Sequence, residues 1–173
     1  SGSDAVCDYT TINDNSESNN WFAFVCDYSS SSTCSEYSQG SGDSGSPFEV
    51  NHAPSFPTIE NNSPLDPGST MTWSTAIGVS DADTNDTVKL VICKTTGVTN
   101  ASCDGGASDT WCSSNLSSSS PTCDIGISIP TADNSYNAYA YVFDMHNFAS
   151  GDVNQGVGTS YVVNNTTPVI SAI

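Results

Sequence analysis

The stretch VSDADTNDTV sets Asp81, Asp83 and Asp86 in one loop between two apolar runs. Closely spaced carboxylates, helped by loop carbonyls, supply the oxygen ligands that a hard cation such as Ca2+ collects, about six to eight at a time. The loop lacks the EF-hand spacing and its closing glutamate. An acidic turn between strands is also what a strongly anionic chain places in water. Two readings therefore stand, a calcium loop and a solvated turn, and the second asks for less.

The other reactive side chains form no comparable group. His52 and His146 adjoin no triad or metal-site motif, and in a chain with 31 serines some Ser–His proximity arises by chance. QGSGDSGS at 39–46 has the glycines of a phosphate loop, but no helix pattern follows and no Lys or Arg is near. It reads as a hairpin loop that uses glycine for positive φ. Trp73, Trp111, Tyr139 and Tyr141 offer a sugar-stacking face, although such residues more often form core. No residue is assigned a catalytic role, and the chain is expected not to be an enzyme.

Seven cysteines, at 7, 26, 34, 93, 103, 112 and 123, lie in a Ser/Thr/Asn-rich chain and read as disulfides formed in an oxidising compartment. No Cys-x-x-Cys pair offers the usual zinc spacing. Cys93–Cys103 is expected as a local staple and Cys112–Cys123 as a bridge across SSNLSSSSPT, with the other pairings of these four left open. Asn61, Asn85, Asn100, Asn115, Asn164 and Asn165 each begin an Asn-x-Ser/Thr sequon, the acceptor of N-linked sugar in exported proteins.

The class of surface follows from charge. Nineteen acidic residues face Lys89 and Lys94, with no arginine, for a net charge of −17. Such a surface repels phosphate backbones and anionic lipid, which argues against nucleic-acid and membrane-surface partners. No apolar run of about 18 residues is present to span a bilayer. The amino terminus lacks a signal-peptide pattern, so an exported chain is expected to have lost its signal or to carry it elsewhere.

These residues must be held by strands, and the strands repeat. NNWFAFVCD at 19–27 matches YNAYAYVFD at 136–144, an offset of 117. Around it CDYTTINDN at 7–15 matches CDIGISIPTADN at 123–134, QGSG at 39–42 matches QGVG at 155–158, and PFEVNHAPSF at 47–56 matches SYVVNNTTPVI at 160–170. The repeat predicts a unit of about 115 residues. On this reading 1–53 is the C-terminal half of one unit, 54–167 a complete unit, and 168–173 the first strand of a following one. Cys26 and Cys34 are both missing from the second copy, as a bonded pair would be, so they are expected to pair. Cys7 aligns with Cys123, and its partner is expected outside the chain, if it has one.

Within 54–167 the expected strands are 55–59, 69–79, 87–93, 110–112, 122–129, 136–143 and 158–163. Met71, Trp73, Thr75, Ile77 and Val79 are expected to point inward from the second, and Val88, Leu90 and Ile92 from the third. Some seven strands with turn-rich spacers predict an all-β fold of antiparallel immunoglobulin-like β-sandwich repeats, about one and a half units, stapled by disulfides. DPGSTMTWSTAIGVSDADTNDTVKLVICKT, TWCSS, AFVCD and QGSGDSGSPFEVNHAPSF resemble the tandem immunoglobulin-like or cadherin-like repeats of large bacterial surface proteins. That resemblance implies an extracellular structural or adhesive role, and it likens SDADTND to the Asp-x-Asp loops that hold calcium between modules. The expected function is a non-enzymatic module of an extracellular fibre, stalk or filament, joined head to tail to copies of itself, in which strands exchanged between neighbours could complete open sheets. The alternative is a calcium-dependent adhesin or glycan-binding module of the cell surface.

Overall fold

The structure is a computed structural model that describes residues 8–12, 15–26, 34–38, 47–125, 130, 132–149, 155–156 and 158–164; the side chains of 23–26 and 34–38 are not among the described parts. The chain divides into two compact units, Ser1–His52 and Ala53–Ile173. Among the described residues the regular structure is strand, apart from one 3-10 turn at Gly106–Ser108, so the all-β class holds. Among the described residues no helix is long and apolar enough to cross a membrane.

Unit 1 carries β1 (Ser18–Asn19), β2 (Phe22–Cys26), β3 (Cys34–Ser38) and β4 (Phe48–Glu49). β2 and β3 form an antiparallel pair from Phe22↔Ser38 to Cys26↔Cys34. β1 pairs with β4 through Ser18↔Glu49 and Asn19↔Phe48, and Val50 N–H continues that ladder to Glu17 O at 2.9 Å.

Unit 2 contains β5 (Ile59–Asn61), β6 (Met71–Thr75), β7 (Val88–Cys93), β8 (Val98–Thr99), β9 (Ser102–Cys103), β10 (Thr110–Ser113), β11 (Thr122–Ile125), β12 (Asn134–Tyr136), β13 (Tyr139–Asp144) and β14 (Tyr161–Val163). Two three-stranded antiparallel sheets, β10–β7–β13 and β11–β6–β5, bury one shared cluster. Met71 and Trp73 enter it from β6, Leu90 and Ile92 from β7, Ala140 and Val142 from β13, and Tyr161 and Val163 from β14. Trp73 and Tyr161 meet edge to face at 5.3 Å, and Trp111 meets Tyr161 in the same way at 5.3 Å.

β7 explains itself. As the central strand of its sheet it is buried on both sides, so VKLVIC is apolar almost throughout instead of alternating. Val88, Leu90 and Ile92 face the shared cluster as expected. Val91 and Cys93 face a second, smaller one with Ala101, Cys103, Tyr141 and Phe143.

Two disulfides fix the periphery. Cys93–Cys103 ties β7 to β9, and Cys112–Cys123 ties β10, an edge of one sheet, to β11, an edge of the other. Both are the expected pairs.

Several boundaries differ from the sequence reading. β6 stops at Thr75, and Ile77, expected to face inward, is 73% exposed. The chain turns there because Gly78 lies against Ser119 and Val79 N–H bonds Ser119 O at 2.7 Å, so the alternation of Met71 and Trp73 cannot continue. The first expected strand, 55–59, gives way to β5 at Ile59–Asn61 after the proline-rich lead-in. The single run expected at 136–143 is two strands broken at Asn137, whose carbonyl accepts the Trp111 indole N–H at 2.9 Å. The β8–β9 hairpin was not anticipated. Its two turn residues, Asn100 and Ala101, have φ of 50° and 53°, and Ala101 is buried in the smaller cluster. Residues 126–129 and 168–173 lie outside the described part, so the far end of the 122–129 run and the expected following strand are not placed.

The sequence repeat carries the strand pairing of one unit onto the other. Ser18↔Glu49 falls on Ser135↔Val162, and Asn19↔Phe48 falls on Tyr136↔Tyr161, so β1–β4 and β12–β14 share one register.

Candidate functional site

The loop between β6 and β7 is anchored at both ends. Val79 is buried at its start, and at its end Val88 exchanges backbone hydrogen bonds with Ser117 at 2.7 and 2.9 Å. Between these points the Asp81 carboxylate accepts the Asp83 N–H at 3.0 Å, and the Asp86 N–H reaches the Asp83 carbonyl at 3.4 Å. Asn85 at φ 75° turns the chain between them. The local hydrogen bonds wind the loop so that its carboxylates point together.

Asp81, Asp83 and Asp86 each offer an oxygen within 4.8 Å of the others. The cluster is not a solvated turn. Asp83 is 5% exposed and the Asp86 side chain 6% exposed. One carboxylate oxygen of Asp81 and one of Asp86, both Oδ2, are buried without a hydrogen-bond partner.

A fourth carboxylate comes from another strand. Asp144 ends β13 opposite Val88 and is 1% exposed. Its Oδ1 accepts the N–H groups of His146 at 2.8 Å and Phe148 at 2.7 Å, which fixes its orientation. Its charge acts on both Asp81 and Asp86. Burial first, and then the charges of Asp83 and Asp144, push the Asp81 carboxyl above the usual range against opposing backbone hydrogen bonds. Asp86 is pushed up by burial, opposed by His146, and pushed further by Asp81, Asp144 and Asp83. The His146 Nε2 stands 3.7 Å from Asp86 Oδ1 on a side chain that is 57% exposed, so water screens the pairing.

Buried carboxylate oxygens without donors, beside like charges, are costly unless a cation joins them. Oxygen donors of this kind suit calcium or magnesium rather than zinc or copper. Asp81, Asp83 and Asp86 could hold such an ion with help from loop carbonyls, and Asp144 adds its negative charge from β13. Spacing in the sequence gathers the first three and leaves out Asp144, the last residue of the repeated stretch YNAYAYVFD.

The remaining sequence candidates separate. Trp73 and Tyr141 are buried, which removes them from a sugar-binding face. Trp111 and Tyr139 are half-buried, and Trp111 lies under the Lys94 ammonium at 4.7 Å. Tyr141 is committed to the fold, its hydroxyl oxygen accepting the Gly97 N–H at 2.9 Å. Asn85, Asn100, Asn115 and Asn164 are exposed. Asn61 is engaged, bonding Ser160 O at 3.2 Å and Ser63 N–H at 3.0 Å. Cys26 and Cys34 face each other in the backbone register, but their side chains are outside the described part. Cys7, Asn165 and the loop 39–46 lie outside it altogether.

No family model, no characterised protein and no solved structure matches this chain.

Proposed function

We propose that the chain is a non-enzymatic structural module of an extracellular fibre, stalk or filament, built from immunoglobulin-like sandwich units repeated end to end. In this reading calcium, held by Asp81, Asp83 and Asp86 beside the charge of Asp144, locks the loop end of the complete unit. The observation that carries the proposal is the strand pair present twice in the same register, β1–β4 and β12–β14. Two copies of one strand arrangement in a single chain are what a repeat array requires.

Other features support it. The two disulfides suit an oxidising, extracellular setting. The unpartnered Asp81 and Asp86 oxygens suit a cation that is part of the folded state. A ligand bound only by the native form stabilises it by RT ln(1 + [L]/Kd), about 2.7 kcal/mol at a hundredfold excess over Kd. Two measurements test the reading. Electron microscopy of the native material is expected to show fibres or stalks, and monodisperse single particles would reject the array. Thermal melting is expected to shift upward with calcium and back with EDTA, whereas coincident curves would remove the ion.

A further inference from the structure

We propose that Asn100 is a site of N-linked glycosylation. Among the sequons that lie wholly within the described residues, it is the one whose acceptor asparagine and hydroxyl residue both stand exposed. The inference goes beyond the array reading and shares with it only the extracellular setting.

The hairpin sets this out. Val98 of β8 lies opposite Cys103 of β9 and Thr99 opposite Ser102, which leaves Asn100 and Ala101 as a two-residue turn. Both have positive φ, 50° and 53°, as the twist of a tight hairpin demands, and asparagine is among the residues that adopt it at least cost. The base of the hairpin is fixed. Cys103 is bonded to Cys93, the Asp104 N–H bonds Gly97 O at 3.2 Å, and Thr99 Oγ1 donates to Asp104 Oδ1 at 2.8 Å. Ala101 packs inward at 3% exposure, whereas Asn100 and Ser102 face water. Among the described residues neither of their side chains makes a hydrogen bond.

Asn61 supplies the contrast. Its Nδ2 donates to Ser160 O at 3.2 Å, and its Oδ1 accepts the Ser63 N–H at 3.0 Å and the Ser63 hydroxyl at 2.5 Å, so its amide and its sequon's own hydroxyl are both committed. A sugar on that nitrogen would displace Ser160. Thr87 of the Asn85 sequon is half-buried, and Ser117 Oγ of the Asn115 sequon accepts the Ser120 N–H at 3.2 Å. A sugar on Asn100 breaks no such contact. It also stands at the tip of a sheet whose two strands, among the described residues, pair only with each other, where a bulky hydrated group keeps open backbone edges from joining other chains. In the transfer the Asn100 Nδ2 bonds the anomeric carbon of a saccharide carried on a polyprenyl phosphate or pyrophosphate. The bond from that carbon to the phosphate oxygen breaks, the polyprenyl carrier leaves with the electron pair, and the amide gives one proton to a base of the transferase. Nothing is oxidised or reduced.

The test is glycopeptide mass spectrometry of the full chain exported by a cell that has an oligosaccharyltransferase. Saccharide is expected on Asn100 and none on Asn61. Ser102→Ala keeps the asparagine but removes the hydroxyl that the transferase reads, so the whole saccharide mass is expected to vanish from Asn100, as it should in Asn100→Gln. Ser102→Thr is expected to retain it. Mapping the Cys93–Cys103 disulfide in each variant shows that the hairpin has formed. A bare Asn100 overturns the inference, and so does sugar on Asn61 of the disulfide-bonded chain or sugar on Asn100 that survives Ser102→Ala. Fibre formation is read separately. A glycosylated Asn100 in single particles rejects the array and leaves the modification standing, and a bare Asn100 in fibres does the reverse.

Discussion

β1–β4 and β12–β14 pair similar stretches of sequence in one register, but among the described residues only the second pair lies beside a buried cluster. Beside β12–β14, Tyr161 has Trp73, Trp111 and Tyr136 within 6 Å or less of its ring centre, at 5.3 Å each, and no exposed surface. Beside β1–β4, Tyr9 keeps 63% of its surface in water. Backbone pairing is thus legible from local sequence, whereas burial depends on which sheet lies opposite. The hydrophobic contribution belongs to the second layer.

The largest effect expected from this contrast is a difference between matched substitutions. Tyr161→Ala removes a ring at the centre of the shared cluster and should cost unit 2 about 3–5 kcal/mol in urea unfolding. Tyr9→Ala removes an exposed ring and should change stability by less than about 0.5 kcal/mol. Equal costs would show that unit 1 has a closed core after all.

The next effect concerns the bridge between sheets. Replacing Cys112 and Cys123 together by Ala should lower the stability of unit 2 by about 2–4 kcal/mol, because the reduced chain regains the freedom of the loop they close. Unfolding midpoints under matched oxidising conditions measure it.

The carboxylate cluster gives a smaller effect, and its sign depends on the ion. Without calcium, Asp86→Asn should raise the melting temperature, since it removes a buried charge beside three others. With saturating calcium the same change should lower it. The pH dependence follows from the raised carboxyls of Asp81 and Asp86. In EDTA their contribution is fully present below the unfolded value, 3.8, and is lost as pH rises through the higher folded values. Calcium should flatten that slope, and so should Asp86→Asn in part. A slope identical in the variant and the parent would remove Asp86 from the cluster's titration.

How much of this was legible beforehand follows from the range of each interaction. Asp81, Asp83 and Asp86 lie in one loop and were gathered by spacing. The charge of Asp144 acts on them because β13 pairs with β7 and sets it opposite Val88, a long-range fact. The recurring aspartate at 27 and 144 was the available signal. Gln155 and Gly156 are similar. Their dipeptide was noticed as repeated, but its role is visible only in the fold. The Gln155 side-chain amide accepts the Val142 N–H at 2.9 Å and bonds the Val142 carbonyl at 3.1 Å, acting as a strand neighbour. Gly156 is needed because its φ is 74° and a Cβ there would meet the Tyr141 ring at 2.7 Å. Ile77 failed in the opposite direction, since alternation continued in sequence after the strand had ended.

The smallest effect comes from exchanging one residue between the copies. Asn19 occupies in unit 1 the place of Tyr136 in unit 2. Its side chain accepts the Ser16 N–H at 3.2 Å, a local bond that suits a position with nothing to stack against. Tyr136 instead stacks on Tyr161 at 5.3 Å with rings inclined by 22°, and its hydroxyl donates to Ala132 O at 3.0 Å. Tyr136→Asn should therefore cost unit 2 about 1–2 kcal/mol. Asn19→Tyr should change unit 1 by less than about 0.5 kcal/mol, because Phe48, the residue opposite it in the ladder, is itself only half-buried. Urea unfolding of the parent and the two variants measures both changes, and equal costs would show that the two positions have like surroundings.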